Sequence, residues 1–78
     1  MTTPLERMDL TGVPCPQNAA RALMALEFMD PGDQLELLLD DGEPIQNVPD
    51  ALELEGHGVL QRERHSEGWR VLIERGIE

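Results

Sequence analysis

The chain has 78 residues, a formal net charge of −10 and one cysteine. This length allows one small domain with a modest core, which we expect over residues 1–78 with the core at about residues 6–75. No apolar run approaches the roughly 18 residues that cross a bilayer, and the acidic excess repels phosphate backbones and anionic lipids, so we expect neither a membrane protein nor direct nucleic-acid binding.

The first predicted strand covers about residues 6–10. Met8-Asp9-Leu10 alternates apolar and polar side chains, as a half-buried strand does. Thr11-Gly12 then forms a turn. The cysteine therefore lies in the connection between this strand and the next predicted element.

Two prolines flank the cysteine and predict the start of the first helix. A residue before proline is pushed toward extended dihedral angles, so Cys15 should lie just outside the helix. Pro16 suits the first helical position, where an N–H group would have no intrahelical partner. We expect Met24 and Phe28 to pack under a loop, with a docking patch as the alternative. The face predicted to be buried carries apolar residues at three- and four-residue spacing: Ala19, Ala22, Leu23, Leu26 and Met29.

The second strand is predicted over residues 34–39, where leucine occupies every second position. Asp30-Pro31-Gly32 ends the preceding helix, because proline cannot continue it and glycine accepts the turn. A second turn over residues 40–44 follows the strand. This strand is the clearest β element of the sequence.

A short second helix and a hairpin complete the chain. Asn47 is predicted to cap the helix, with Pro49 in its first turn. Gly56-His57-Gly58 ends it, and residues 59–75 alternate as two antiparallel strands. Three residues of the helix are predicted to face inward: Val48, Ala51 and Leu52.

These elements follow the order β-α-β-α-β-β and predict an α+β fold. Two helices cannot cover both faces of a four-stranded sheet. We therefore expect a two-layer α/β sandwich, in which a mixed sheet carries both helices on one face. The other face is left to solvent or to a partner.

Cys15 is the candidate reactive residue. A thiol reacts as the thiolate, which the unpaired N–H groups and the dipole of a helix start stabilise. We expect Pro16 to fix the helix start, the backbone N–H groups of Gln17 and Asn18 to face the sulfur, and Arg21 to assist by its charge. An inert buried cysteine fits the residue chemistry about as well. The two prolines favour function, because they hold the thiol in place.

Other kinds of site are not indicated. His57 and His65 lack the spacing of a base for the thiol or of metal ligands, and the absence of lysine excludes amine nucleophiles. A lone cysteine cannot form an internal disulfide. Residues 1–7 lack the basic start and apolar stretch of a secretory signal, so we expect a cytoplasmic protein.

Four segments in a fixed order make the chain resemble the TusA/SirA-like family of small sulfur carriers. They span nearly the whole sequence. The segments are Leu10-Thr11-Gly12-Val13-Pro14-Cys15-Pro16, Met29-Asp30-Pro31-Gly32-Asp33 with the strand through Asp40-Asp41, Asn47-Val48-Pro49, and Gly56-His57 before the hairpin and Arg75-Gly76.

The resemblance implies that Cys15 accepts a persulfide sulfur. It also implies a sulfur donor, either a cysteine desulfurase or a rhodanese-type enzyme, and a downstream acceptor protein. No cofactor is implied beyond the transient persulfide, and no metal. The chain departs from the Cys-Pro-x-Pro motif at Asn18, which stands where the family has its second proline, and it has Gln46-Asn47 where many members have Arg-Asp.

Three hypotheses remain open from the sequence. The first is a sulfurtransferase-type carrier that loads and discharges Cys15. The second is a non-catalytic binding or regulatory module that keeps the fold and uses its surface. The third is redox sensing through a mixed disulfide of the same thiol.

Overall fold

The computed structural model describes residues 6–77, so the interpretation of residues 1–7 lies mostly outside the described part of the chain. The predicted order of elements is confirmed. Neither helix within residues 6–77 is long and apolar enough to span a membrane. The elements are β1 (Glu6–Asp9), α1 (Gln17–Glu27), β2 (Gln34–Asp40), α2 (Glu43–Leu54), β3 (Gly58–His65) and β4 (Gly68–Glu74).

The four strands form one mixed sheet in the order β1-β2-β4-β3. β1 runs parallel to β2, while β4 is antiparallel to both β2 and β3. Asp40, at the end of β2, pairs with Gly68, which in turn pairs with His65. One edge of the sheet therefore carries the ends of β1 and β2 together with the β3–β4 turn. We call it the carboxyl edge.

The core lies between one face of this sheet and both helices, as predicted. The alternating leucines of β2 and alternate residues of β4 supply the sheet side, and residues at helical spacing supply the other. Burying this apolar surface is the main stabilising contribution to the fold. The buried apolar residues are Leu10, Ala22, Leu26, Leu35, Leu37, Leu39, Ile45, Val48, Leu52, Val71 and Ile73.

The opposite face of the sheet carries charged side chains around a half-buried Leu38. Arg70 contacts Glu36 at 3.4 Å and Glu63 at 2.7 Å, and Arg7 contacts Glu36 at 2.9 Å. Both arginines are at least 39% exposed, so solvent screens these ion pairs and they contribute little to stability. The face is therefore polar, and no helix or strand within residues 6–77 packs over it.

The predicted start of the second helix is wrong. α2 begins at Glu43, not after Asn47, and Pro49 lies inside it. Pro44 occupies the first turn, where a missing N–H group has no intrahelical partner to lose. Ile45 and Pro49 are buried beside Val48, so the apolar stripe extends one turn earlier than predicted. Burial of that stripe outweighs the cost of an internal proline.

The predicted packing of the α1 flank is also wrong. Met24 is 64% exposed and Phe28 86% exposed, so no loop of the described part of the chain, residues 6–77, covers either side chain. The predicted inner face of α1 is correct, since Ala22 and Leu26 are fully buried and the other three residues pack against the core.

Contacts of Arg75 and Gly76 stabilise the edge of the sheet opposite the carboxyl edge. Gly56 has φ +96° and allows the His57 N–H to reach the Leu52 carbonyl at 3.1 Å, which ends α2. The neutral ring of His57 accepts the Gly76 N–H on Nδ1 at 3.0 Å. Arg75 donates from Nε to the Leu26 carbonyl at 3.0 Å, beside the negative end of α1. These contacts hold the end of β4 against both helix ends.

His57 is expected to make the stability of the protein depend on pH. Burial first, and then the positive charge of Arg75, lower the pKa of His57, and Glu55 offsets part of this. The unfolded chain therefore binds the proton more readily, so His57 contributes stability above about pH 6.5 that is lost as the pH falls below that value.

Urea unfolding between about pH 7.5 and about pH 5.5 checks this. His57→Asn keeps an acceptor near the position of Nδ1 but does not titrate, so its unfolding midpoint should fall less than that of the wild type. If the unfolding midpoint falls equally in the wild type and in His57→Asn, carboxyl groups and not His57 cause the pH dependence.

Candidate functional site

Cys15 is exposed in the connection between β1 and α1. The connection leaves the carboxyl edge as Leu10 donates its N–H to the Leu38 carbonyl at 2.9 Å. Gly12 adopts φ +79°, a left-handed conformation in which glycine has no steric penalty. Its N–H donates to Oδ2 of Asp40 at 2.7 Å. The end of β2 thus anchors the loop that presents the thiol.

The helix begins one residue later than predicted. Pro16 occupies the cap position, with φ −93° and ψ 11°, and its carbonyl accepts the Ala20 N–H at 3.1 Å. The peptide bond between Cys15 and Pro16 is cis. Gln17 is the first helical residue. The thiol therefore lies two positions before the helix.

The backbone donors are arranged differently from the prediction. The Asn18 N–H donates to the Pro14 carbonyl at 3.1 Å, so it does not face the sulfur. The Gln17 N–H has no hydrogen-bond acceptor within residues 6–77 and remains open at the helix start. Of the two backbone N–H groups predicted to face the sulfur, only that of Gln17 is therefore able to bind a ligand at the helix start.

The side chain of Asn18 supplies the donor that the backbone does not. Asn18 is fully buried, and its Nδ2 donates to Sγ of Cys15 at 3.1 Å. Its Oδ1 accepts the Ala19 N–H at 2.7 Å. An amide hydrogen aimed at sulfur stabilises negative charge there, because hydrogen bonds to charged acceptors are about twice as strong as neutral ones.

Within residues 6–77, neither Arg21, the last of the predicted supporting residues, nor His57, which was not predicted to belong to the site, is bonded to the thiol. Arg21 is exposed on α1, and within residues 6–77 neither a hydrogen bond nor an ion pair joins it to Cys15. His57 lies at the opposite edge of the sheet, where it accepts the Gly76 N–H. The supporting role of Arg21 stays a prediction. The charge of Arg21 would act on the thiol only at longer range.

The carboxyl edge is acidic. Asp9 accepts hydrogen bonds from the hydroxyl and the N–H of Thr11, and these two bonds lower the pKa of Asp9. Asp41 accepts the Trp69 Nε1–H at 2.9 Å, and this bond first, then one from Gly42, lowers the pKa of Asp41. Both groups are therefore anions at neutral pH, on the same edge as the loop that carries the thiol.

Sequence reasoning missed Asp40 and Trp69 as contributors to this edge. The sequence pattern places Asp40 in a turn, whereas its carboxylate also accepts the Gly12 N–H and so holds the cysteine loop. Trp69 packs under the guanidinium of Arg64, whose Cζ lies 5.0 Å from the ring centroid. The position of Asp40 at the end of a strand parallel to β1 was the available signal, because parallel strands end at the same edge.

The fold and the site together define a small two-layer domain that presents one exposed thiol at the start of a helix. A family model described as Sulfurtransferase TusA matches residues 6–75. A relative from Archaeoglobus fulgidus is 34% identical over 71 residues, covering 90% of this chain and 81% of the relative. YedF of Escherichia coli strain K12 is 32% identical over 69 residues, covering 88% and 90%. Both relatives are named as candidate sulfur carrier proteins.

Solved structures agree with this fold. The crystal structure of a SirA-like protein from Desulfitobacterium hafniense has a TM-score of 0.76 and 27% identity, covering 94% of this chain and 99% of that one. A solution structure of a Helicobacter pylori protein has a TM-score of 0.74 at 19% identity, covering 91% and 97%, and this likeness concerns the fold alone. The chain therefore belongs to the TusA family of sulfurtransferases, as the resemblance implied.

Proposed function

We propose that this protein is a sulfur carrier that accepts a persulfide sulfur on Cys15 and passes it to an acceptor protein. The observation that carries the proposal is the exposed residue Cys15, whose Sγ receives a hydrogen bond from a buried amide at a helix start. Membership of a sulfurtransferase family supports it. An inert structural cysteine would instead be buried in the core.

The proposed transfer needs only two thiol exchange steps. In loading, the Cys15 thiolate attacks the terminal sulfur of a donor persulfide, the donor S–S bond breaks, and its electron pair goes to the donor sulfur. Cys15 then carries the extra sulfur as a persulfide. In discharge, an acceptor thiolate takes that terminal sulfur and the Cys15 thiolate is released. No oxidant or reductant is consumed, because each step breaks one bond to sulfur and forms another.

The proposed partners are a sulfur donor, either a cysteine desulfurase or a rhodanese-type enzyme, and an acceptor protein. Both must approach the loop that presents Cys15 at the carboxyl edge, where Asp9 and Asp41 are anions and Arg64 pairs with Asp41 at 3.4 Å. Complementary charge speeds the encounter of two proteins and orients them. A basic surface around the reactive sulfur of a partner therefore fits this edge.

Incubation with a cysteine desulfurase and free cysteine tests the proposal. Intact-mass spectrometry should find the wild-type chain heavier by one sulfur atom, and dithiothreitol should remove the addition. Cys15→Ser replaces the thiol by a hydroxyl of similar shape, so it should take up no sulfur at all. A rhodanese-type enzyme with thiosulfate provides a second donor for the same comparison.

The outcomes separate the proposal from the alternatives. A wild-type chain that gains no sulfur from either donor, or a Cys15→Ser chain that gains as much, would contradict it. Glutathione adducts under oxidant without any transferable sulfur would favour redox sensing. Partners that bind the wild type and Cys15→Ala equally, with no sulfur uptake, would favour a binding module.

A further inference from the structure

The buried side chain of Asn18 has a fixed orientation toward the sulfur of Cys15. The Ala19 N–H can only donate, so the atom that it contacts at 2.7 Å must be the amide oxygen of Asn18. The nitrogen then points the other way, to Sγ at 3.1 Å. Since the side chain is fully buried, water does not replace either partner. The amide is therefore held as a donor to this one sulfur atom.

This contact has a different strength in the different states of the sulfur. Sulfur in a thiol, disulfide or persulfide is a weak acceptor, whereas a thiolate carries a full charge. When Cys15 is unloaded and ionised, that charge lies on Sγ. When Cys15 is loaded, the charge of the ionised persulfide lies mainly on the terminal sulfur, and Sγ is close to neutral. The hydrogen bond from Asn18 therefore favours the unloaded thiolate over the loaded form.

We infer that Asn18 is a positioning residue that stabilises the Cys15 thiolate as the leaving group when sulfur is passed on. This inference rests on the proposed function. In discharge, the acceptor takes the terminal sulfur, the bond between that sulfur and Sγ breaks, and its electron pair returns to Sγ. The Asn18 amide receives the charge as it forms there, so the step is faster.

Loading is affected in the opposite direction. The same hydrogen bond stabilises the attacking thiolate, and among fully ionised thiols the more stabilised thiolate is the weaker nucleophile. Asn18 thus biases the carrier toward release of its sulfur. The proline that the family motif has at this position offers no donor, so this bias is a property of the present sequence.

The experiment follows discharge to cyanide, which needs no protein partner. Wild type, Asn18→Ala and Asn18→Leu are loaded with inorganic polysulfide, freed of excess reagent and checked by intact mass for the loaded fraction. Cyanide carbon then takes the terminal sulfur as thiocyanate and leaves the Cys15 thiolate. The rate of thiocyanate formation per loaded chain should fall roughly three- to tenfold in both variants.

A matched control and a second readout exclude a general structural effect. Asn47→Ala makes the same change at an exposed asparagine of α2, and its discharge rate should equal that of the wild type. Loading rates from polysulfide at limiting concentration, measured at a pH at which Cys15 is fully ionised in every variant, should rise in the Asn18 variants while discharge falls. Simple loosening of the loop would not move the two rates in opposite directions.

The results distinguish a failure of the inference about Asn18 from a failure of the proposed function. If wild type and both Asn18 variants load and discharge at equal rates, the inference about Asn18 is wrong and the proposed function stands. If the wild type takes up no sulfur, the proposed function fails. If Asn18→Ala does not fold, as judged by circular dichroism and Trp69 fluorescence, Asn18→Leu decides, because leucine fills a similar volume and keeps the backbone N–H that donates to the Pro14 carbonyl.

Discussion

Replacing Leu37 by alanine is expected to lower the free energy of unfolding by about 2–5 kcal/mol. Leu37 is fully buried at the middle of β2, where it pairs with Met8 on one side and Val71 on the other. The substitution removes buried apolar surface and leaves a cavity between the sheet and both helices. A domain of this size has a total stability of about 4–12 kcal/mol, so the loss is a large share of it.

Urea unfolding followed by the fluorescence of Trp69 measures this loss. Leu54→Ala is the matched control, because Leu54 is 87% exposed in α2 and the same change there should alter stability by less than about 0.5 kcal/mol. Similar midpoints for the two variants would show that β2 does not form the centre of the core.

Gly68→Ala is expected to destabilise the protein by about 1–3 kcal/mol through a backbone collision. A Cβ atom at this position would overlap the carbonyl oxygen of Leu39, on the neighbouring strand. That oxygen belongs to the backbone and cannot rotate away. β2 and β4 must therefore separate at the carboxyl edge, beside the contact between Trp69 and Asp41.

Gly58→Ala provides the control for this change. Its Cβ would meet only the Cβ of Glu74, at 4.0 Å, which is an ordinary contact. Since alanine also restricts the unfolded chain, this variant should be unchanged or more stable by up to about 1 kcal/mol. Equal stabilities of the two alanine variants would contradict the predicted collision, and a shift of Trp69 emission in Gly68→Ala alone would support it.

Most of the fold could be predicted from short-range patterns. Strands show an alternation that no other element imitates, and the leucines of β2 make that alternation unambiguous. The start of α2 could not be placed in this way, because Pro49 was interpreted as a first-turn residue. The helical spacing of Ile45, Val48 and Leu52 indicates the earlier start. A helix of this length is stabilised mainly by the packing of such residues, which the sequence does not show.

The candidate site was predicted in position but not in detail. The two prolines placed Cys15 before a helix, and the structure shows an exposed thiol there. The donor to its sulfur is the side chain of Asn18 and not the backbone N–H, which is used by Pro14. This difference depends on how the loop turns between Gly12 and Pro16, and no local propensity specifies that turn.

The sequence alone determined the buried faces of α1 and β2, the order of the strands and helices along the chain, and that a single thiol precedes α1. These properties follow from side-chain periodicity and proline geometry, which act over a few residues. Only the tertiary structure decided the strand order, the burial of Asn18 and the contact between Gly12 and Asp40, which lie 28 positions apart. Such contacts form only when distant segments pack together, because their energy depends on the arrangement of the whole domain and not on any one segment.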